Sequence, residues 1–348
     1  MTGLAAYARS HERVVRLCGG PRTDSRELRL RLLAELRATV GFDAYAFVLT
    51  DPETAVGSAP IADVPCLPEL PRVIRLKYLT AANRWTQLTD VALLSGPGGP
   101  ERSVLWCEML RDLGVRDVAS TVFRDRYGCW GFLDLWRLGR NFTAAEAAYL
   151  ADLTRPVTTA LRRSQAETFV VRPTDTPRPG PLVLLLSPDL HVHGQTPQTH
   201  AFLSRLLPPE HGRAPVPAAA YNVAAQLLAV ETGVDTHPPH SRVHLADGLW
   251  LTLRADRMGE AEPPDRRDIA VTIEEASPQE RLAVFTRAFG LSSREGELVR
   301  LLAKGADSRT VAREMIVSEH TVQDHLKSVF AKTGTHNRRM LLGRVLGA

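Results

Sequence analysis

The most regular pattern of hydrophobic and polar positions lies near the carboxyl end of the chain. Between residues 318 and 334 the apolar side chains recur at spacings of four, three and one, and they are Val322, Leu326, Val329 and Phe330. This spacing places all of them in one stripe along an α-helix. Ser318 is a typical helix start and Gly334 a typical helix stop. The pattern predicts an amphipathic helix over residues 319–332, with a polar face opposite the stripe.

Three further helices are predicted around this one. Ser292 and Glu295 have the spacing of a capping box, and they open a helix that should end at Gly305. Asp307 should cap a second, short helix, and residues 316–317 should form a turn before Ser318. A fourth helix is predicted from Asn337 to Val345. Two helices joined by a tight turn, the second with an exposed polar face, are typical of a helix-turn-helix.

The same residues resemble the LuxR/FixJ-type four-helix DNA-binding domain. The resemblance covers residues 286–348 and rests on four stretches, LSSREGELVRLLAKG (291–305), TVAREM (310–315), SEHTVQDHLK (318–327) and KTGTHNR (332–338). The chain departs from the family pattern at Gly296, Ile316 and Thr333, which affects local packing and some backbone contacts. The resemblance implies an all-α domain that binds double-stranded DNA by inserting helix 319–332 into the major groove.

The predicted DNA-binding residues follow from the helix geometry and from this resemblance. In the family, positions matched by Ser318 and Thr321 begin the recognition helix. Positions matched by Gln323, Asp324 and Lys327 contact the groove. Positions matched by Lys332, Asn337 and Arg338 lie near the phosphate backbone or the junction with the last helix. The full predicted set, with two more residues from the polar face and its flank, is Ser318, His320, Thr321, Gln323, Asp324, Lys327, Ser328, Lys332, Asn337 and Arg338.

Charge is distributed in the direction that DNA binding requires. The chain has 43 Lys and Arg against 39 Asp and Glu, a net charge of +4. Residues 281–348 alone carry about +6, so the rest of the chain is slightly acidic. Positive charge near the predicted recognition helix favours neutralisation of phosphates.

The amino-terminal block, residues 1–167, predicts an α+β domain. Leucines at helical spacing over 28–36 predict a helix, residues 44–50 a strand, and residues 117–124 and 129–137 a long hairpin turned at 125–128. A closing helix is predicted over 143–165, with a kink at Pro156. This order of elements, with Gly41-Phe42, Asp51-Pro52 and Tyr127-Gly-Cys-Trp-Gly-Phe-Leu133, resembles a GAF-type sensor domain. The charged run of Arg72, Arg75 and Lys77 is interpreted as a solvated face.

A proline-rich linker is predicted over residues 168–181, because four prolines and a glycine lie between 173 and 181. A second α+β domain follows at 182–276. Its predicted strands are 182–186, 242–245, 249–255 and 269–274, and its predicted helices lie around 199–206 and 218–232. This order resembles a PAS-type domain. A connecting helix is predicted over 277–290, before the helix-turn-helix domain at 291–348, and no internal repeat is visible in the sequence.

The resemblance to GAF domains implies a ligand cavity against the sheet of the first domain. The candidate ligand-binding residues are aromatic side chains of the predicted strands, Tyr45, Phe47, Trp130 and Phe132. An ordinary aromatic core explains each of them as well, and the two interpretations remain open. A small, mostly apolar pocket with few polar groups would be the default site.

Other chemistry finds little support in the sequence. His191, His193 and His200 lack a third ligand at defined spacing, so no metal site and no cofactor are predicted. The hairpin contradicts a phosphorylated receiver domain, whose sheet is parallel. Neither a phosphate-binding Gly-Lys-Ser/Thr loop nor a Gly-x-Ser-x-Gly elbow occurs, so an enzyme is not predicted. The four cysteines lack Cys-x-x-Cys spacing, and no run approaches the length of a membrane span, which favours the cytoplasm.

The sequence therefore predicts a transcriptional regulator with two sensory α+β domains and a carboxy-terminal DNA-binding domain. A homodimer is expected, because one recognition helix covers only a half-site. RNA polymerase is an expected partner if the protein is an activator, and a small ligand is expected to control DNA binding. The alternative is that residues 1–276 form a protein-docking or dimerisation platform without a small ligand.

Overall fold

The computed structural model describes residues 2–20, 24–170, 180–206, 216–245, 248–259 and 266–347. The chain divides into two compact units. The first, called the sheet unit here, comprises Met1–Leu161, Pro179–Val243 and Thr252–Glu274. The second, called the C-terminal unit, comprises Arg162–Arg178, His244–Leu251 and Glu275–Ala348. Of the predicted linker, residues 171–179 lie outside the described part of the chain.

The first domain contains a five-stranded antiparallel sheet. Its strands are β1 (Ala44–Thr50), β2 (Gly57–Asp63), β3 (Ala92–Leu93), β4 (Asp117–Asp125) and β5 (Gly128–Arg137). They pair in the order β2-β1-β5-β4-β3. The predicted hairpin is confirmed, and Gly128 is required at its turn, because a Cβ there would lie 2.1 Å from the carbonyl oxygen of Pro52. The helices are α1 (Thr2–Gly19), α2 (Ser25–Thr39), α3 (Leu70–Leu79) and α4 (Ala144–Glu167).

The register of β1 and β5 separates the two faces of this sheet. Val48 pairs with Phe132 and Ala46 with Asp134, so these side chains share one face. Phe47 pairs with Leu133, and this pair lies on the opposite face, where leucines of α2 and α4 pack against it. Helix α3 covers the face of Phe132. The sheet therefore has a separate apolar core on each side.

The second domain contains a sheet with the same strand order. Its strands are β6 (Leu182–Leu186), β7 (Val192–Gln195), β8 (His240–His244), β9 (Trp250–Arg257) and β10 (Ile269–Glu275), in the order β7-β6-β10-β9-β8. If each sheet is numbered from its own first strand, both read 2-1-5-4-3. The two domains therefore share a strand topology, although no repeat is visible in the sequence. Helices α5 (Pro197–Leu206) and α6 (Ala218–Glu231) lie between β7 and β8 in the chain.

The two sheet domains are joined by a buried interface within the sheet unit. Helix α6 is apolar on all sides, ten of its fourteen residues are buried, and it packs against α3 and β2 of the first domain. Arg242 is ion-paired with Asp51 at 2.7 Å, and the two side chains are at most 3 % exposed. Arg84 is ion-paired with Asp235 at 2.7 Å and is fully buried. The prediction of two sheet-bearing segments is confirmed, and these contacts join the two segments.

The C-terminal unit is built mainly from helices. They are α7 (Pro278–Ala288), α8 (Ser293–Ala303), α9 (Ser308–Met315), α10 (Glu319–Thr333) and α11 (Arg338–Leu346). Phe169, from the segment after α4, is fully buried in this unit and stacks on Trp250 with 4.8 Å between ring centroids. Arg281 donates to the carbonyl oxygens of Val345, Gly248 and Val170. The predicted connecting helix is thus α7, and its Arg281 holds the end of α11.

Candidate nucleic-acid interface

The predicted helix-turn-helix is formed by α9 and α10. Asp307 caps α9 by accepting from the backbone N–H of Thr310 at 2.8 Å, and Ser318 caps α10 by accepting from Thr321 at 3.1 Å. Gly334 ends α10 in the left-handed conformation at φ 63°. Helix α10 packs against α9 and α8 through the predicted stripe, in which Val322, Leu326 and Val329 are buried. Phe330, the fourth residue of that stripe, is half-buried.

The turn between α9 and α10 contains a strained residue. Ile316 has φ 56° and ψ 51°, a left-handed conformation that is unfavourable for a β-branched side chain. Its side chain is also 91 % exposed, so packing does not compensate for this conformation. A small residue is usual at this position in the domains that the sequence resembles. The turn therefore keeps its geometry despite its sequence.

The polar face of α10 is exposed as predicted. Gln323, Asp324 and Lys327 are exposed, and Lys327 lies 3.2 Å from Asp324. His320 is exposed as well and lies 3.5 Å from Asp324. The exposed ion pairs are weak, since exposed pairs contribute about 0–1 kcal/mol. These side chains can therefore exchange their partners for base edges or phosphates at little cost.

Four other predicted site residues make hydrogen bonds inside the helical domain. Ser328 donates to Glu295 Oε1 and Lys332 Nζ to Glu295 Oε2, each at 2.6 Å. Asn337 caps α11 by accepting from the N–H of Met340 at 2.9 Å. Arg338 donates to the hydroxyl of Ser308 at the start of α9. The roles of Ser328, Lys332, Asn337 and Arg338 in DNA binding stay predictions, and each has a structural role here.

Glu295 organises this internal network. Burial alone would raise the pKa of its carboxyl, but hydrogen bonds from Lys332, Ser328 and Ser292 outweigh burial and lower the pKa to about 2. The carboxylate is therefore charged throughout the physiological range. The sequence predicted Glu295 only as the second half of a capping box, and its contacts with α10 depend on tertiary packing.

Sequence reasoning missed two exposed arginines beside the recognition helix. Arg309 and Arg313 lie on α9 at a spacing of four, so both project from the same side of that helix. The side chain of Arg313 is 76 % exposed. A basic pair at this spacing on the helix before a recognition helix is the signal that could have identified them as phosphate-binding candidates.

The four candidate ligand residues are divided between the two faces of the first sheet. Phe132 lines an apolar cavity of about 70 Å³ beneath α3. Phe47 lines a smaller cavity, about 10 Å³, on the opposite face. Tyr45 precedes Phe47 by two residues on β1 and therefore lies on the same face as Phe47. The indole N–H of Trp130 donates to Asp125 at the hairpin turn at 3.0 Å. Their role in ligand binding stays a prediction, but the four do not form one site.

The interpretation of residues 72–77 as a solvated face is wrong for Lys77. Lys77 Nζ lies 2.6 Å from Asp134 Oδ2, and the two side chains are only 15 % and 6 % exposed. Its neighbour Arg72 is exposed, as expected. Lys77 follows Ile74 by three residues on α3, so helical spacing turns it toward the sheet.

No set of three or more His, Cys, Asp or Glu side chains within the described ranges is arranged to hold a metal ion. His193 lies 3.0 Å from Asp268, and His200 bonds with Gln195 at 2.9 Å. Within the same ranges, every helix is too short or too polar to cross a bilayer.

Comparison with known proteins identifies the carboxy-terminal segment. Residues 290–343 match the family described as "GerE: Bacterial regulatory proteins, luxR family". The monoamine regulon transcriptional regulator of Klebsiella aerogenes is 39 % identical to this chain over 54 residues, which are 16 % of the chain and 24 % of that protein. The chain thus matches about a quarter of the length of this curated relative.

Solved structures of the LuxR-type receptor VqmA are similar over a larger share of the chain. A Vibrio cholerae VqmA dimer without target DNA and VqmA bound to DPO each share 16 % identity with it, with a TM-score of 0.19. A Vibrio cholerae VqmA–ligand–DNA complex shares 17 % identity, with a TM-score of 0.20. The three matches cover 48–49 % of this chain and 81–83 % of VqmA.

Proposed function

We propose that this chain is a DNA-binding transcriptional regulator, because its residues 290–343 form a LuxR-type helix-turn-helix domain. The observation that carries the proposal is the exposed polar face of α10 on a helix fixed by caps at both ends. Such a helix fits the major groove, where Gln323 and Lys327 can pair with adenine or guanine edges. Arg309 and Arg313 on α9 supply charge for the phosphates. This role requires no catalytic chemistry.

A homodimer is part of the proposal. One recognition helix reads only a few base pairs, and two-fold symmetric proteins read two half-sites about one helical turn apart. A dimer also doubles the number of phosphate contacts and so the dependence of binding on salt. If the regulator is an activator, RNA polymerase is its further partner.

The experiment that tests the proposal measures operator affinity for Lys327→Ala. Loss of one groove contact should weaken binding by about 1–3 kcal/mol if the contact is to a base. Thermal stability should change by less than about 0.5 kcal/mol, because Lys327 is exposed. Arg72→Ala is the matched control, since it removes the same charge from an exposed position on α3. Equal affinities of Lys327→Ala and Arg72→Ala would contradict the proposed docking face.

Salt dependence provides an independent test. Each phosphate that the protein neutralises adds about −0.9 to the slope of log affinity against log salt concentration. A dimer with several phosphate contacts in each subunit should give a slope of several units. The double variant Arg309→Ala, Arg313→Ala should lower the slope if these arginines bind phosphates. A slope near zero for the wild type would remove nucleic acid from the proposed function.

We further propose that a small ligand controls DNA binding from the sheet unit. The cavity beneath α3 supports this function, because a mostly apolar pocket with few polar groups is typical of ligand sites. A ligand can shift the regulator only if its affinity differs between two conformations. The test is operator affinity of the full chain with and without ligand. The full chain is needed, since a fragment starting at residue 277 would lack Phe169 of the C-terminal unit.

The second candidate function for the sheet unit is a dimerisation or docking platform. Helix α1 favours it, because its apolar residues Leu4 and Val15 are 76 % and 41 % exposed. They lie eleven residues apart, about three turns, and so share one side of the helix. Val15→Glu should then lower the association constant of the dimer, as measured by sedimentation. An unchanged constant would leave the ligand-sensing function in place.

A further inference from the structure

The cavity beneath α3 is lined by residues of both sheet domains. Its walls are mostly aliphatic and aromatic side chains from β1, β2, α3 and β5, including Val48, Pro60, Ile74, Phe132 and Trp136. One wall residue, Asn222, comes from α6 of the second domain. The first domain alone would therefore leave this cavity open at the position of α6.

Among the described residues that line the wall, the two charged groups neutralise each other. Lys77 and Asp134 form the 2.6 Å ion pair, and Ser120 donates a hydrogen bond to the other oxygen of Asp134 at 2.8 Å. An added carboxylate or ammonium group would therefore find no unpaired opposite charge, and its desolvation would not be compensated. This part of the wall favours an uncharged occupant.

Asn222 presents a polar group for which the described residues supply no hydrogen-bond partner. Its side chain is 95 % buried, being 5 % exposed, and its amide makes no hydrogen bond with any described residue. Gly57 makes room for it, because a Cβ at residue 57 would lie 2.8 Å from Asn222 Nδ2. Buried side-chain amides almost always have a hydrogen-bond partner in native proteins. The amide of Asn222 at the cavity wall can therefore form a hydrogen bond with a ligand.

We propose that this cavity is a ligand site shared by the two sheet domains, with Asn222 as its hydrogen-bonding anchor. The occupant is a small, uncharged, mostly apolar molecule with one hydroxyl, carbonyl or amide group. A volume of about 70 Å³ holds several non-hydrogen atoms, since a water needs roughly 10–15 Å³ on the same scale. This inference rests on the ligand control proposed above and specifies its ligand class and its site.

The position of Asn222 on α6 links occupancy of the cavity to the domain interface. One turn further along this helix, Gln226 accepts from Arg84 at 3.0 Å and donates to the carbonyl oxygen of His237 at 2.7 Å. Arg84 in turn donates to Asp235 at 2.7 Å. A ligand bonded to Asn222 holds the same helix that carries this buried network. Binding therefore changes the stability of the domain interface as well as that of the first domain.

The experiment uses phenol as the probe, with benzene and benzoate as matched comparisons. Calorimetry on the full chain should show that phenol binds, that benzene binds at least tenfold more weakly, and that benzoate does not bind. Asn222→Leu removes the amide and keeps a similar volume, so it should lower phenol affinity to that of benzene. Ala46→Leu places three more carbons in the cavity and should abolish binding of both.

Hydrogen exchange provides the second readout. Phenol should slow exchange of the amides of α6 in the wild type and leave them unchanged in Ala46→Leu, whose fold is checked by circular dichroism. Equal affinities of phenol for the wild type and Asn222→Leu would overturn the role of Asn222. Binding of benzoate as tight as that of phenol, or no binding of phenol at all, would overturn the site. Operator affinity measured without probe tests the proposed regulator separately, so the two failures are distinguishable.

Discussion

The sheet unit and the C-terminal unit bury charged side chains in different ways. In the sheet unit, Arg242 and Asp51 are almost completely buried and are 191 residues apart in the chain. In the C-terminal unit, buried Glu295 accepts from Ser292, three residues away, and from the half-exposed Lys332. The first arrangement exchanges hydration for long-range pairing between two domains. The second extends a helix cap that is already stable locally. Loss of the Arg242–Asp51 pair should therefore lower the free energy of unfolding more than loss of the contacts of Glu295.

The largest expected effect is that of Arg242→Met. It leaves the carboxylate of Asp51 buried without its cation and should lower the free energy of unfolding by about 3–5 kcal/mol. Arg72→Met is the matched control, because its pair with Glu69 is about half exposed and should contribute less than about 1 kcal/mol. Denaturant unfolding of the full chain measures both. Equal losses would mean that the buried pair contributes no more than a surface pair.

The next effect concerns a core position of the C-terminal unit. Leu326→Ala removes a side chain that is 2 % exposed and should cost about 2–5 kcal/mol. Lys327→Ala, one residue along α10, is the control, and it should leave stability nearly unchanged. Faster hydrogen exchange of the backbone amides of α10 would show that the destabilisation lies in this helix. A cost below 1 kcal/mol for Leu326→Ala would contradict the predicted orientation of the helix.

The next prediction concerns the loss of stability at low pH that the network around Glu295 should cause. The pKa of this carboxyl is about 2 in the folded protein and near 4.5 for an ordinary glutamate. Its contribution to stability is therefore complete above pH 4.5 and is lost as the pH falls toward 2. Glu295→Gln should cost about 1–3 kcal/mol at neutral pH and flatten this decline. Hydrogen exchange of α8 and α10 between pH 5 and pH 3 measures this decline in stability. The same decline in Glu295→Gln as in the wild type would contradict its assignment to Glu295.

The smallest expected effect is a gain in stability. Ile316→Gly relieves the left-handed conformation of a β-branched, exposed residue and should stabilise the C-terminal unit by about 1 kcal/mol. Ile316→Ala keeps the Cβ and should gain less, which makes it the control. Thermal unfolding measures both variants. A loss of stability in Ile316→Gly would show that the exposed side chain has a contact in the folded protein.

Local patterns predicted much of this fold, because their causes are local. The caps of α8, α9 and α10, the strand Ala44–Thr50 and the strand Leu182–Leu186 depend on residues close in sequence. The sequence predicts α6 as a helix, but the burial of ten of its fourteen residues depends on a partner domain. Lys77 was assigned to solvent for the same reason, since its partner Asp134 is on β5. The shared strand order of the two sheets was invisible, because a topology can persist without a common residue pattern.

In the candidate site, too, features with local causes could be predicted and features that depend on tertiary contacts could not. The exposed positions of α10 could be predicted, since helical spacing fixes which side chains oppose the apolar stripe. The internal bonds of Lys332 and Ser328 could not, because they end on Glu295 of another helix. No local sequence pattern identifies Asn222 as a ligand residue. Asn222 and Phe132 are far apart in sequence, and they line the same cavity only when both domains are folded.

The burial of Phe169 has a consequence for synthesis on the ribosome. The carbonyl oxygen of Phe169 accepts from Arg344, 175 residues later in the chain, and its ring packs on Trp250 and Phe285. At about 5–20 residues per second, the ribosome needs roughly ten to thirty-five seconds to deliver that arginine. During this interval the aromatic ring has no completed site and is exposed to chaperones. The C-terminal unit can therefore form this contact only after Arg344 has been translated.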